Sequence, residues 1–182
     1  MIVDAAFAVV RRSGVDDINV RKVANEIGCS TQPVMYHFKT VEDLKAEIYD
    51  LATEYYENYL VGENKEEQPA LTELCRRYLK FSKEEGNLFR FIFQSGRYKG
   101  DHFEKMFGCS RDAVVDNIVK NDGFAKEQAS ELAASMFTAV HGYASIAANN
   151  NAEFNEKAAD DIINGIYNAF KAAYGKAGKA KK

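Results

Sequence analysis

Residues 19–39, NVRKVANEIGCSTQPVMYHFK, decide how this chain is read. Val20, Val23, Ala24 and Ile27 recur at helical spacing and mark one inward face. Gly28 then closes the helix, because a residue without a Cβ enters the left-handed conformation at a helix end without strain. Ser30 stands at the cap position of a second short helix, where its hydroxyl is expected to accept the Gln32 backbone N–H. Pro33 falls in the first turn of that helix, where no intrahelical N–H is needed. Val34 and Phe38 point inward. Two short helices joined by Gly28-Cys29-Ser30, with small Ala24 at the crossing, meet the requirements of a helix-turn-helix.

Helical spacing continues outward in both directions, and sustained period-two alternation is found nowhere. Ile2, Ala5, Ala6, Val9 and Val10 mark a first helix stopped by Gly14. Thr40-Val41-Glu42-Asp43 is a capping-box pattern opening a long helix, striped by Leu44, Ile48, Leu51, Ala52, Tyr55 and Tyr59. The polar stretch Gly62 to Gln68 is the linker candidate, with Pro69 suited to a helix's first turn. Leu71, Leu74, Cys75, Tyr78 and Leu79 form the next stripe, ending near Gly86. Leu88 to Gln94 is read as helix rather than strand, since a strand there has no partner. Val114, Val115, Ile118 and Val119 mark a helix stopped by Asn121-Asp122-Gly123.

Lys126 to about Asn149 is expected to be the longest helix of the C-terminal half, apolar or small all round and so buried on both sides. A last helix carries Ile162, Ile163, Ile166, Tyr167, Phe170 and Tyr174. The Gly, Ala and Lys tail 175–182 is expected to be disordered. The expected fold is all-α. It comprises a helix-turn-helix domain at 1–45, a helical ligand-binding and dimerisation domain at 46–174, and the tail.

The N-terminal end of the second helix of such a motif meets base edges in the major groove, and here it carries Thr31, Gln32 and Pro33. Thr and Gln can hydrogen-bond base edges, Gln being suited to adenine, and Pro33 can pack on a thymine methyl. Arg21 and Lys22 stand where phosphates or a guanine come within reach. Residues 1–45 carry six basic side chains against six acidic ones, so the reading rests on where charges sit.

The run GCSTQPVMYHFKTVEDL at 28–44, preceded by AAFAVVRRSG at 5–14, resembles the DNA-binding domain of the tetracycline-repressor (TetR) family. The resemblance covers about residues 1–50 and includes the Val-Arg-x-Val-Ala helix, the turn and the closing His-Phe at 37–38 of the family's Tyr-x-His-Phe ending. It implies that Arg21, Thr31, Gln32 and Pro33 lie near bases, and that Asn19, Tyr36, His37 and Lys39 contact the DNA backbone. Met35 replaces the family's usual Tyr and Val41 its usual Lys, leaving Tyr36 and Lys45 to take up those phosphate contacts.

EEGNLFRFIF at 84–93 and Ala-Val-His-Gly at 139–142 resemble the family in pattern only. The family's last two helices pair with their mates in a four-helix dimer bundle, while the middle helices enclose a ligand pocket. On that resemblance Ser135, Ala139, Gly142, Ile162, Ile166 and Phe170 are the candidate dimer contacts. Tyr78, Phe81, Phe89, Phe93, Phe103, Phe107, Phe137 and His141 are the candidate pocket. The same aromatics at helical spacing serve equally as core, and His141 as a hydrogen-bonded core histidine.

The 182 residues are 46% hydrophobic and 28% charged with a net charge of -3, a globular balance. Three cysteines without paired spacing suit a reducing cytosol, and Cys29 in the turn is the one placed for redox sensing. No stretch reaches the roughly 20 apolar residues of a membrane span. His37, His102 and His141 lack metal-ligand spacing, and no phosphate loop, catalytic triad or dinucleotide fingerprint occurs. The expectation is a cytoplasmic, non-enzymatic regulator without cofactor or metal. Its expected partners are a double-stranded DNA operator, a second copy of itself and an unknown small-molecule effector. Two alternatives stand beside it: a DNA-binding protein with no effector, and a helical small-molecule-binding or enzymatic domain that has lost DNA binding.

Overall fold

A computed structural model describes residues 1–62, 69–97, 100, 102–107, 111–150 and 155–174. Helix α1 covers Ile2–Ser13, and a single 3-10 turn at Val15–Asp17 leads into α2, Val20–Ile27. Then follow α3 (Thr31–His37), α4 (Val41–Val61), α5 (Leu71–Glu84) and α6 (Gly86–Gln94). The remainder is α7 (His102–Phe107), α8 (Arg111–Asp122), α9 (Lys126–Asn149) and α10 (Glu156–Tyr174). No strand occurs among the described residues. Linker residues 63–68, the tail 175–182 and Cys109 lie outside them.

Two compact units emerge, one from residues 1–56 with 85–99, the other from 57–84 with 100–182. The first is centred on Ala6, Val9, Val10, Ile18, Val23, Ala24, Val34, Leu44 and Ile48, all buried. Gly28 takes φ 79° and ψ 31°, the left-handed conformation the motif requires, and the Gly28 and Cys29 amides both donate to Ala24 O at 2.9 Å. The capping box at α4 forms as expected. Asp43 N donates to Thr40 Oγ1 at 3.1 Å, and Thr40 N donates to Asp43 Oδ2 at 3.0 Å.

Helix α6 joins this unit through α1. Its apolar face, Leu88, Phe89, Phe91 and Ile92, is buried, and Tyr49 of α4 donates its hydroxyl to Ile92 O at 3.2 Å. Glu85, ahead of α6, is only 7% exposed, so its charge must be answered by partners. Arg11 of α1 answers it with a two-pronged ion pair, one prong at 2.8 Å, and the Tyr55 hydroxyl adds a bond at 3.1 Å. Asn87 Nδ2 donates to Arg11 O at 2.9 Å, a second tie between α1 and α6.

In the second unit α9 packs against α5, α8 and α10. Leu132, Met136 and Val140 of α9 are buried, as are Leu74, Cys75 and Leu79 of α5 and Ile163 of α10. Removing each such side chain from water contributes about 1.5–3 kcal/mol. Burial also pushes the Cys75 thiol up, so it stays protonated. Arg76 ties α5 to α10 through Asp160 at 2.6 Å and Asn164 at 3.2 Å. Asp122, ending α8, accepts from the Tyr167 hydroxyl of α10; burial first, then this carboxylate, raise the tyrosine's pKa. Pro69 precedes α5 rather than sitting inside its first turn: Ala70 O already accepts from the Glu73 and Leu74 amides, making Ala70 the cap position.

Two further expectations need correction. Ser30 adopts the extended cap conformation, but its side chain makes no cap hydrogen bond. The residue is exposed, so its hydroxyl can be met by solvent and need not turn back to the helix. Helix α9 is buried on one side only: Gly142 and Ile146 are exposed while Ser135 and Ala139 are half-buried. Helices α5, α8 and α10 cover the Leu132–Met136–Val140 side, and within this chain the small-residue side stays open to solvent.

Candidate nucleic-acid interface

Helix α3 is held from beneath by Val34, fully buried, and by half-buried Phe38 just past its end. That anchoring turns Gln32, Pro33, Met35, Tyr36, His37 and Lys39 outward, all of them exposed, with Thr31 half-buried at the start. Met35 and Tyr36 are 63% and 87% exposed, although both have apolar surface that would normally be covered. The Tyr36 ring meets His37 edge-on at 5.8 Å.

Charge on this surface is settled by pairing. Arg12 reaches Glu26 at 2.7 Å, tying α1 to α2 and holding the glutamate carboxyl below its ordinary range. Lys22 pairs with Asp17 at 2.9 Å. Arg21 and Lys39 are exposed and make no ion pair among the described residues. A near-neutral segment therefore presents two uncommitted cations, with Gln32 between them in sequence as an uncommitted amide.

Three residues expected at the interface have local work. Asn19 Oδ1 accepts the Lys22 amide at 3.0 Å and so caps α2, while its Nδ2 donates to Asp17 O at 3.3 Å. Lys22 carries the ion pair just described. Lys45 pairs with Glu42 at 3.0 Å, and its side chain is only 20% exposed.

Lys45 also lines a groove of about 390 Å³ in the first unit, together with Asn87, Arg90, Phe91, Gln94 and Arg97. Sequence reasoning missed this grouping. Its one signal is the placing of Arg90 and Arg97 within and just after the aromatic run Phe89–Phe93.

The expected pocket aromatics divide between the units. Phe89 and Phe93 belong to the first, where Phe93 packs on Tyr56 at 5.1 Å and on Phe89 at 5.2 Å. In the second unit a run of ring contacts joins Phe107, Phe103, Phe137 and His141, with neighbouring centroids 4.7, 5.7 and 5.8 Å apart. The Phe137 and His141 rings are parallel, and the Tyr78 hydroxyl lies 2.7 Å from His141 Nδ1. Burial raises the Tyr78 pKa well above its usual value, so the hydroxyl facing Nδ1 stays protonated. Phe81 meets Tyr59 at 5.3 Å. Tyr78, Phe81, Phe103 and Phe107 are buried; Phe137 and His141 are half-buried. A separate groove of about 320 Å³, between α5 and α10, is lined by Arg76, Lys80, Lys83, Glu156 and Asp160 and by none of these aromatics.

Of the expected dimer contacts, Ser135, Ala139 and Gly142 fall along the open side of α9. Ile162, Ile166 and Phe170 are half-buried on α10, with Phe170 against Tyr174 at 5.4 Å. No described helix is long and apolar enough to cross a membrane.

No protein-family model matches the chain, and no curated protein sequence does. Solved structures match it over nearly their whole length. A TetR-family transcriptional regulator from Streptomyces coelicolor is 14% identical, over 98% of this chain and 83% of that one, with a TM-score of 0.68. A protein of unknown function from Rhodococcus sp. RHA1 is 19% identical, over 95% and 93%, with a TM-score of 0.66. A TetR transcriptional regulator from Legionella pneumophila is 16% identical, over 95% of each chain, with a TM-score of 0.51. The chain has the fold of these regulators: an N-terminal helix-turn-helix followed by a helical domain.

Proposed function

We propose that this chain is a TetR-family transcriptional regulator that binds a palindromic DNA operator as a homodimer and releases it in response to a small molecule. The observation that carries the proposal is the outward face of α3, where Gln32, Met35, Tyr36 and Lys39 are exposed above a helix anchored by Val34. Arg21 at the start of α2 adds an uncommitted guanidinium, the group best suited to a guanine edge or a phosphate. In this reading residues 1–45 bind DNA and residues 46–174 bind the effector and the second copy.

Dimerisation is assigned to the open side of α9 and to α10. Small residues at Ser135, Ala139 and Gly142 admit a partner helix closely, and Ile146, 58% exposed, offers apolar area to bury. Two copies then place their α3 helices about 34–36 Å apart, or a multiple of that, to meet successive major grooves. The effector is assigned to the half-exposed Phe137–His141 pair, where an aromatic ring can stack and the buried Tyr78 hydroxyl fixes the histidine's orientation. Coupling of about 1–3 kcal/mol between effector and operator suffices for a 5–150-fold release.

Selection from a random duplex library at two salt concentrations tests the reading. A single recovered palindrome, lost on Arg21→Ala or Gln32→Ala, is the expected outcome; unchanged operator affinity in both variants would sink the recognition surface.

A second reading keeps DNA binding and drops the effector. Tyr78, Phe81, Phe103 and Phe107 are each no more than 3% exposed, which favours a filled core. A thermal shift with any member of a ligand library, abolished by His141→Ala, decides for the effector.

A further inference from the structure

The groove of the first unit is a feature that DNA reading by α3 leaves unused. It holds about 390 Å³ between the turn at Gly14–Asp16, helix α4 and helix α6. At about 30 Å³ of liquid volume per water, that space is ample for a phosphate or pyrophosphate group. Three cations line it, Lys45, Arg90 and Arg97, with the amides of Asn87 and Gln94; Asp16, exposed, is its one acidic lining residue.

Two of the cations are held rather than waving in solvent, and the third, Arg90, is exposed. Side chains of Lys45 and Arg97 are 20% and 26% exposed, and both converge on one carboxylate, Glu42, which is itself 65% exposed. Two largely desolvated positive charges against one solvated negative charge leave a surplus of positive potential where screening by water is weakest. The same pair, Arg97 first and Lys45 second, holds the Glu42 carboxyl below the usual carboxylate range. The Arg97 guanidinium lies over the buried Phe91 ring at 5.9 Å, and Arg90 Nη2 donates to Asn87 Oδ1 at 2.6 Å. Both forks are therefore oriented before any ligand arrives, which lowers the ordering needed on binding.

We propose that this groove is a site for a phosphate-class oxyanion, bound by Arg90 and Arg97, with the Glu42 carboxylate as the internal anion it competes against. The oxyanion belongs either to a free phosphorylated small molecule or to a DNA backbone, and the chemistry of capture is the same. Glu42 stands in the first turn of α4, five residues past His37, the last residue of α3. An anion that takes over its cations frees that turn, which gives the site a route to the DNA-binding segment. None of the outward residues of α3 lines the groove, so the proposal does not depend on the reading of α3.

The test is calorimetric titration of the full chain with pyrophosphate and with inorganic phosphate at low salt. Saturable one-site binding is expected, weakened at least tenfold by Arg97→Gln and by Arg90→Gln. Glu42→Gln is expected to do the opposite and tighten binding several-fold, because it removes the competing charge. A purely structural Glu42–Arg97 tie predicts loss in all three variants, and melting curves identify any that fail to fold. No saturable binding, or equal affinity in wild type and all variants, means an adventitious ion only and overturns the site. Random-sequence duplexes then give the source. A fall of about 1 in the salt slope per arginine removed, with competition by pyrophosphate, assigns the oxyanion to DNA. An unchanged slope alongside lost pyrophosphate binding assigns it to a free ligand. Absence of all DNA affinity defeats the regulator reading and leaves the pyrophosphate result standing.

Discussion

Each unit holds one group of aromatic and apolar side chains, and the two groups are put to opposite use. In the second unit Phe107, Phe103, Phe137, His141 and Tyr78 turn toward one another until the run is closed by a hydrogen bond. In the first, Met35 and Tyr36 sit side by side on the seven-residue α3 and are left in water. A short helix with one fully buried side chain cannot hide the rest of its surface, so what it carries outward stays available to another molecule. A 24-residue helix such as α9 has faces to spare, and one of them is filled by its own chain. On the proposed function the work of contact falls to α3 and the work of stability to the aromatic run, and each assignment can be broken separately.

The largest expected effect is on the closed run. Phe107→Ala removes a fully buried ring and should lower unfolding free energy in urea by about 3–5 kcal/mol. A loss below about 1 kcal/mol would mean the ring lines an empty space, which returns Phe107 to the list of pocket residues. Next comes the tie beneath the first unit. Arg11→Ala leaves Glu85 buried with the Tyr55 hydroxyl alone, and should destabilise by about 1–3 kcal/mol. Arg11→Lys should recover only part of this, because one ammonium cannot reproduce the two-pronged contact.

How far the sequence carried can be seen from these same residues. Helix ends were legible where one or two residues settle them: Gly28 by its left-handed backbone, and Thr40 and Asp43 by reciprocal bonds. Outward residues of α3 were legible because the motif fixes which side faces in. The Arg11–Glu85 pair was not, since 74 residues separate its members and no local pattern encodes which distant charge answers a buried one. For the same reason α6 read only as an amphipathic helix: periodicity shows that Phe89 and Phe93 face inward, but not that Tyr56 packs on Phe93. The polar partners of Lys22, Lys45 and Asn19 were equally hidden, because an exposed side chain near a ligand and one bonded to its neighbour look alike in sequence.

On the contact side, Met35 gives the sharpest probe of what α3 touches. If its thioether packs on a thymine methyl, deoxyuridine at one position per half-site should weaken wild-type binding by about 1 kcal/mol and leave Met35→Ala indifferent. Uniform tolerance of deoxyuridine at every position would remove Met35 from base reading. Lys39→Gln should act differently, weakening all sequences alike and lowering the salt slope by about 1, as loss of a phosphate contact does.

Asn19 is the residue on which the two kinds of work meet, and its expected effect is the smallest. Asn19→Ala removes the acceptor of the Lys22 amide and should lower stability by about 1 kcal/mol. Asn19→Asp keeps an equally good cap and adds a negative charge at the positive end of α2, so its stability should match wild type within a few tenths of a kcal/mol. DNA affinity then separates the roles. If Asn19 only caps, the aspartate variant should bind DNA nearly as well as wild type, and the alanine variant's loss should track its loss of stability. If a phosphate lies against residue 19, the aspartate variant should stay folded and lose affinity most steeply at low salt, where like charges are least screened. The second outcome makes one side chain serve both the helix and the ligand, and moves the edge of the contact surface from α3 back to the start of α2.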